Sequence, residues 1–233
     1  MLLRRRLDRR PLAGLGLPGP VAGLRSFTLG TAVTAVTAAA AVLAFVAGTT
    51  ADWLRWRPVD WSDLLAFLVL NTVLALLLEA VPEELIFRGY IYRSLNGPLR
   101  RWTAFLGCVG LFATSGLPVS TVSWAAAWLL GGETSGLSLA PANEDPVAYV
   151  TLLVIFGAAL LLVRIWTGSL WACVGLHLVF LTANRIVLFG EDREAGWSAE
   201  LLTPDAVLLV PAYLVLTAVA FLVLARITGR RIG

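Results

Sequence analysis

Apolar residues run along this chain in six long blocks separated by short polar or Gly/Pro-rich breaks. The blocks lie at about 27–48, 61–92, 102–130, 146–162, 169–189 and 206–224. A helix crossing a bilayer needs about 20 predominantly apolar residues, so each block predicts one transmembrane helix. The first block follows a basic segment, as a secretory signal does, but its apolar region exceeds the usual ~7–15 residues and predicts a retained helix. Pro82 lies inside the second block and should kink it or end a segment, because it lacks a backbone N–H. The third block is too long for one straight helix, and Gly116-Leu117-Pro118 marks a break within it. The stretch 11–23 is Gly/Pro-rich and is expected to be irregular, and the loop 49–60 with Trp53, Trp56 and the following Trp61 suits an interfacial belt.

Composition agrees with that pattern. Hydrophobic residues make up 58% of the chain and charged residues 14%, with a mean hydropathy of +0.82. A soluble domain carries about a quarter charged residues, so a soluble enzyme or nucleic-acid-binding module is excluded and an integral membrane protein is indicated. The expected fold is an all-α polytopic bundle of about six spans. The expected division is a basic cytoplasmic tail at 1–26, a transmembrane domain at 27–226 and a short tail at 227–233. With both termini inside, fourteen of the eighteen arginines fall on the cytoplasmic side. Cys108 and Cys173 both sit in apolar blocks, as buried thiols rather than a disulfide framework. No internal repeat is visible, which disfavours a small transporter.

The candidate chemistry interrupts the second and fifth blocks. Glu79, Glu83, Glu84 and Arg88 lie within apolar sequence, and ionisable groups at membrane depth tend to face a protein interior or wet cavity. On an α-helix Glu84 and Arg88 meet at i, i+4, while Glu79 and Glu83 share a neighbouring stripe. Ordinary interfacial anchoring is the alternative, but it leaves three carboxylates in six positions unexplained. The single histidine, His177, lies about 13 Å along its helix from the preceding basic turn, and Glu83 lies ~18 Å from the basic end of its own. The two can therefore meet across a packed interface, where a carboxylate and an imidazole activate water and stabilise charge on a scissile carbonyl. Asn184 lies seven positions after His177, on the same helical face. No cofactor is expected; zinc is the minority alternative, because one His and two adjacent Glu make a thin donor set.

The segment EELIFRGYIYRSL resembles the first motif of the CAAX protease and bacteriocin-processing (CPBP, or Abi) family, and RIWTGSLWACVGLH resembles that family's last conserved helix. The resemblance covers about residues 61–185. It implies an intramembrane endopeptidase of a prokaryotic plasma membrane that hydrolyses a membrane-associated protein or peptide with a glutamate-activated water. Lipid bilayer and substrate are its implied partners, with no nucleic acid. Carried over by position, Glu83 would activate the water, Glu84 and Arg88 would shape the site, and His177 would bind the oxyanion. Two positions depart from the family pattern. The middle motif gives Phe112 followed by Gly116 where histidine stands, and Leu181 occupies a position commonly held by asparagine. Losing one oxyanion donor can cost ~100- to 1,000-fold in rate. Thr114, Ser115 or Glu79 are candidate substitutes for the missing histidine, and Asn184 for the asparagine. The alternative function is a catalytically degenerate relative acting as a membrane-embedded binding or immunity protein.

Overall fold

The computed structural model describes residues 15–48, 53–132, 136–141 and 144–229, with the side chains of all but 46–48 and 119. Most of the expected N-terminal tail, Glu133 and the C-terminal Arg230 and Arg231 lie outside the described residues. In chain order the elements are α1 (Pro20–Gly48), β1 (Leu54–Trp56), α2 (Trp61–Leu95), α3 (Arg101–Ala113), α4 (Gly116–Leu129), α5 (Pro146–Thr167), α6 (Leu170–Val187), β2 (Ala199–Leu201) and α7 (Leu209–Ile227), the last preceded by a 3-10 turn, Pro204–Leu208. Six stretches among the described residues are long and apolar enough to span a membrane, with α3 and α4 together forming one of them. The protein is thus an all-α polytopic bundle and an integral membrane protein.

Helix α1 begins at Pro20, so residues 20–23 are helical rather than irregular. Proline suits the first helical position, where its missing N–H would have had no intrahelical partner. The third block breaks at Thr114 and Ser115, and Gly116-Leu117-Pro118 forms the first turn of α4, for the same reason. Loop 49–60 is not wholly irregular either. Leu54–Trp56 pairs antiparallel with Ala199–Leu201, and Trp56 stacks on Trp197 with ring centroids 4.9 Å apart.

Helix α2 is capped by Asp60, whose carboxylate accepts from the backbone N–H groups of Ser62 and Asp63 and from the Ser62 hydroxyl. These donors hold the Asp60 carboxyl below the usual carboxylate range. Pro82 neither ends nor splits the helix. Segments Ala75–Ala80 and Leu85–Ile91, on either side of it, adopt the wider π winding. Val81 N–H bonds the Leu76 carbonyl and Tyr92 N–H that of Phe87, each five residues back. Each wide turn takes up an extra residue, and so rotates the succeeding residues about the helix axis.

The core joins α1, α3, α5, α6 and α7 through Ala41, Phe112, Phe156, Leu160, Leu176 and Leu214, all buried. Large apolar residues such as Leu65, Val69, Leu77 and Leu78 on α2 stay exposed on the outside, the expected arrangement where lipid is the solvent. Helix α1 lies directly on α6, with Thr37 and Thr217 hydroxyls 2.6 Å apart tying it to α7 as well. The α1–α6 approach depends on two glycines. A Cβ on Gly30 would sit 2.1 Å from the Ala172 carbonyl oxygen, and one on Gly175 would sit 2.5 Å from that of Phe27. Both obstacles are backbone and cannot rotate away. Gly30→Val is therefore expected to cost about 1–3 kcal/mol or more by forcing the helices apart. Gly110→Ala, where nothing lies within 4 Å, should be neutral or slightly stabilising. Thermal unfolding in detergent compares the two, and an unchanged Gly30→Val protein would refute the close packing.

Candidate active site

Helices α2 and α6 run antiparallel, and their polar residues pair in a ladder. Asn71 Nδ2 donates to Thr182 Oγ1 at 3.0 Å, Arg185 donates to both Asn71 and Glu79, and His177 meets Glu84. Asn71 and Glu79 meet the later part of α6, at Thr182 and Arg185, and Glu84 meets its middle, at His177. Polar groups that would each be costly in lipid thus satisfy one another across one interface.

The centre of the ladder is the group Glu84, Arg88 and His177. Glu84 Oε1 is 2.9 Å from His177 Nδ1 and 3.2 Å from Arg88 Nη1. Arg88 Nη2 also donates to the Gly157 carbonyl at 3.4 Å, and its guanidinium lies over the face of Phe112, 4.2 Å from the ring centroid. Phe156 meets the imidazole edge-on at 4.9 Å. The side chains of Glu84, Arg88 and His177 are 0%, 1% and 3% exposed, whereas Glu83 is 40% exposed. Three groups are therefore locked in the interior while the neighbouring carboxylate reaches open space. Glu83 Oε2 is 4.0 Å from His177 Nε2, too long for a hydrogen bond but close enough for strong electrostatic coupling.

Glu83 opens onto a cavity of about 490 Å³ that is also lined by Ser115, Gly116, Ser120, Ser123 and Tyr149, and by the loop 136–141. That volume is typical of a site for a small ligand or a short stretch of peptide. The loop is fastened to α4, because Ser138 N–H donates to Ser120 Oγ at 2.9 Å and Ala140 N–H to Ser138 Oγ at 3.1 Å. A Cβ on Gly116 would sit 2.6 Å from the Leu139 carbonyl oxygen. At the position that the family pattern gives to histidine, the loop backbone leaves no room for a side chain.

The structure brings together Glu83, Glu84, Arg88 and His177, with Phe112 beside them as the platform for Arg88. It separates the others. Glu79 pairs with Arg185 further along the ladder. Asn184 does not reach in from the next turn of α6; its Oδ1 accepts from Tyr213 OH on α7 at 3.4 Å. Of the suggested substitutes for a second histidine, Thr114 bonds back to the Gly110 carbonyl, and Ser115 alone lines the cavity with Glu83. Sequence reasoning missed Tyr149, Ser120, Ser123 and Ser138. They come from a helix start, from α4 and from a non-periodic loop, with no local signal of their proximity to α2.

A metal would need donors converging on one point. The two nitrogens of His177 face different carboxylates, Nδ1 towards Glu84 and Nε2 towards Glu83. Among the described residues no group of three His, Cys, Asp or Glu side chains is arranged to hold an ion. Two buried polar atoms of the group, Glu84 Oε2 and Arg88 Nε, have no hydrogen-bond partner among the described residues.

A family model described as type II CAAX prenyl endopeptidase Rce1-like matches residues 64–182, which hold Glu83, Glu84, Arg88, His177 and the cavity walls. No curated protein and no solved structure matches the chain.

Proposed function

The chain belongs to the Rce1-like family of type II CAAX prenyl endopeptidases, and from that premise we propose that it hydrolyses a membrane-associated protein or peptide with water activated by Glu83. The observation that carries this reading is the asymmetry of the two adjacent glutamates. Glu84 is enclosed with Arg88 and His177, while Glu83 faces a peptide-sized cavity with the imidazole beside it. An exposed carboxylate next to a fixed, buried one divides the labour that general-base hydrolysis requires.

In the proposed sequence Glu83 accepts a proton from water as the water oxygen bonds to the substrate carbonyl carbon. Glu84 accepts from Nδ1–H of His177 and so fixes the ring with Nε2 turned to Glu83; a proton at Nε2 stabilises the developing oxyanion. Arg88 balances the Glu84 charge, and Phe112 supports the guanidinium. When the C–N bond breaks, Glu83 returns its proton to the departing amine.

The serines lining the cavity make a covalent acyl-enzyme the competing mechanism. Protein reconstituted in liposomes should cleave a peptide ending in an S-farnesyl cysteine and three further residues. Quenching single turnovers with hydroxylamine separates the two mechanisms, since an acyl-enzyme yields a peptide hydroxamate and activated water yields only the carboxylate. A trapped hydroxamate, or no cleavage of this or any hydrophobic peptide, would overturn the proposal. The crowding at Gly116 favours one second reading, a membrane-embedded binding protein, which predicts peptide binding without turnover.

A further inference from the structure

The group proposed to take the oxyanion, His177, is almost wholly enclosed and is not part of the cavity wall; its contact with that space is through Glu83. The wall itself offers another set of donors. Among its residues only Glu83 and Tyr149 are ionisable, and the remaining polar side chains are serine hydroxyls. Ser120 and Ser138 are engaged in fastening the 136–141 loop. The site where a side chain from α4 would enter is closed by the Leu139 carbonyl. Tyr149 is half-buried and, like Ser115 and Ser123, makes no hydrogen bond through its hydroxyl among the described residues, but a phenol is a stronger donor than a serine hydroxyl. It is also held firmly in place. It lies in the first turn of α5, where Asp145 caps the helix by accepting from Ala148 N–H at 2.7 Å and Pro146 occupies the first position. Tyr149 N–H bonds the Asp145 carbonyl at 2.9 Å, so the backbone carrying the phenol is fixed at the cavity rim.

We propose that Tyr149 is a catalytic residue, its phenol O–H donating a hydrogen bond to the oxygen of the substrate carbonyl as that oxygen becomes negative. This rests on the reading of the cavity as a peptidase site. The step balances without further reactants. Glu83 takes one proton from water, the water oxygen bonds to carbon, and the C=O electron pair moves onto oxygen. Tyr149 donates to that oxygen and keeps its proton. The C=O bond then re-forms, the C–N bond breaks, and Glu83 returns its proton to the amine. The phenol acts from the cavity wall, and so supplies an oxyanion donor in place of the asparagine that the chain lacks at Leu181.

Two measurements on Tyr149→Phe test the assignment. The first is turnover of the S-farnesyl peptide in liposomes, where kcat should fall about 100-fold while KM stays within about threefold, the pattern of an interaction made only in the transition state. The second does not depend on turnover. A peptide of the same sequence with a phosphinate at the scissile position presents a tetrahedral anionic oxygen, and its affinity should fall by a similar factor while that of the parent amide is unchanged. Equal losses for amide and phosphinate would make Tyr149 a packing residue, and no loss for either would remove it from the site. Should the wild-type protein cleave nothing, a selective loss of phosphinate binding would sustain the Tyr149 assignment and sink the peptidase reading alone.

Discussion

Glu83→Gln is expected to lower kcat by about 100- to 10,000-fold while leaving the protein folded. Glutamine keeps the size and the hydrogen-bonding outline of the side chain but cannot accept a proton from water. The fold should tolerate the change because Glu83 is 40% exposed to the cavity and makes no hydrogen bond to the Glu84–Arg88 pair. Surface-like substitutions of this kind usually stay within about 0.5 kcal/mol. Glu83→Asp is the sharper companion. It retains the base but withdraws it by one methylene, and a displacement of about 1 Å from a productive geometry can itself cost about 100-fold. Rates measured in liposomes, alongside thermal unfolding in detergent, separate chemistry from folding. A Glu83→Gln protein working within threefold of wild type would remove Glu83 from the reaction.

The six spans were legible in the sequence because the bilayer sets a single length and polarity requirement for each. The Glu84–Arg88 contact was legible for a comparably local reason: it needs only the i, i+4 geometry, and that spacing survives within a helix whatever it packs on. The approach of His177 to α2 followed from depth, since two polar groups at similar distances from basic turns find each other at the same level of a bundle. What could not be read was rotation. The π turns on either side of Pro82 had no sequence signal, and along them Glu79 pairs with Arg185 while Glu83 lines the cavity. A proline signals that the helical bonding must change there, but not that wider turns will absorb the change. Contacts between distant loops were equally hidden. Three-residue strands that pair Leu54 with Leu201 carry too short a pattern to register, and nothing near Gly116 foretells the Leu139 carbonyl packed against it. Asn184 shows the complementary limit. Its seven-residue spacing from His177 spans two helical turns, and at that level Arg185 beside it still meets α2 while Asn184 itself turns to Tyr213 on α7.

Arg88→Ala is expected to destabilise the protein by about 3–5 kcal/mol, the cost of leaving a buried partner charge uncompensated. Glu84 is fully enclosed and Arg88 is 1% exposed, so water cannot take over the role of the missing guanidinium. The substitution also removes the cation above Phe112 and the donor to the Gly157 carbonyl, both within the core between α2, α3 and α5. A loss of that size corresponds to a fall in Tm of roughly 10 °C for a chain of this length. The double variant Glu84→Gln, Arg88→Met discriminates charge from shape. Glutamine preserves an oxygen for the Nδ1–H of His177, methionine fills much of the arginine volume, and no unpaired charge remains. Most of the lost stability should therefore return, because a buried ion pair is often no better than a neutral replacement of similar volume. Activity should not return with it. A neutral amide accepts from the imidazole more weakly than a carboxylate does, and it provides no negative charge to support a proton at Nε2. Unfolding and turnover measured on the same three proteins would thus move apart. If the double variant is as unstable as Arg88→Ala, the destabilisation comes from lost packing around the guanidinium and not from the stranded Glu84 charge.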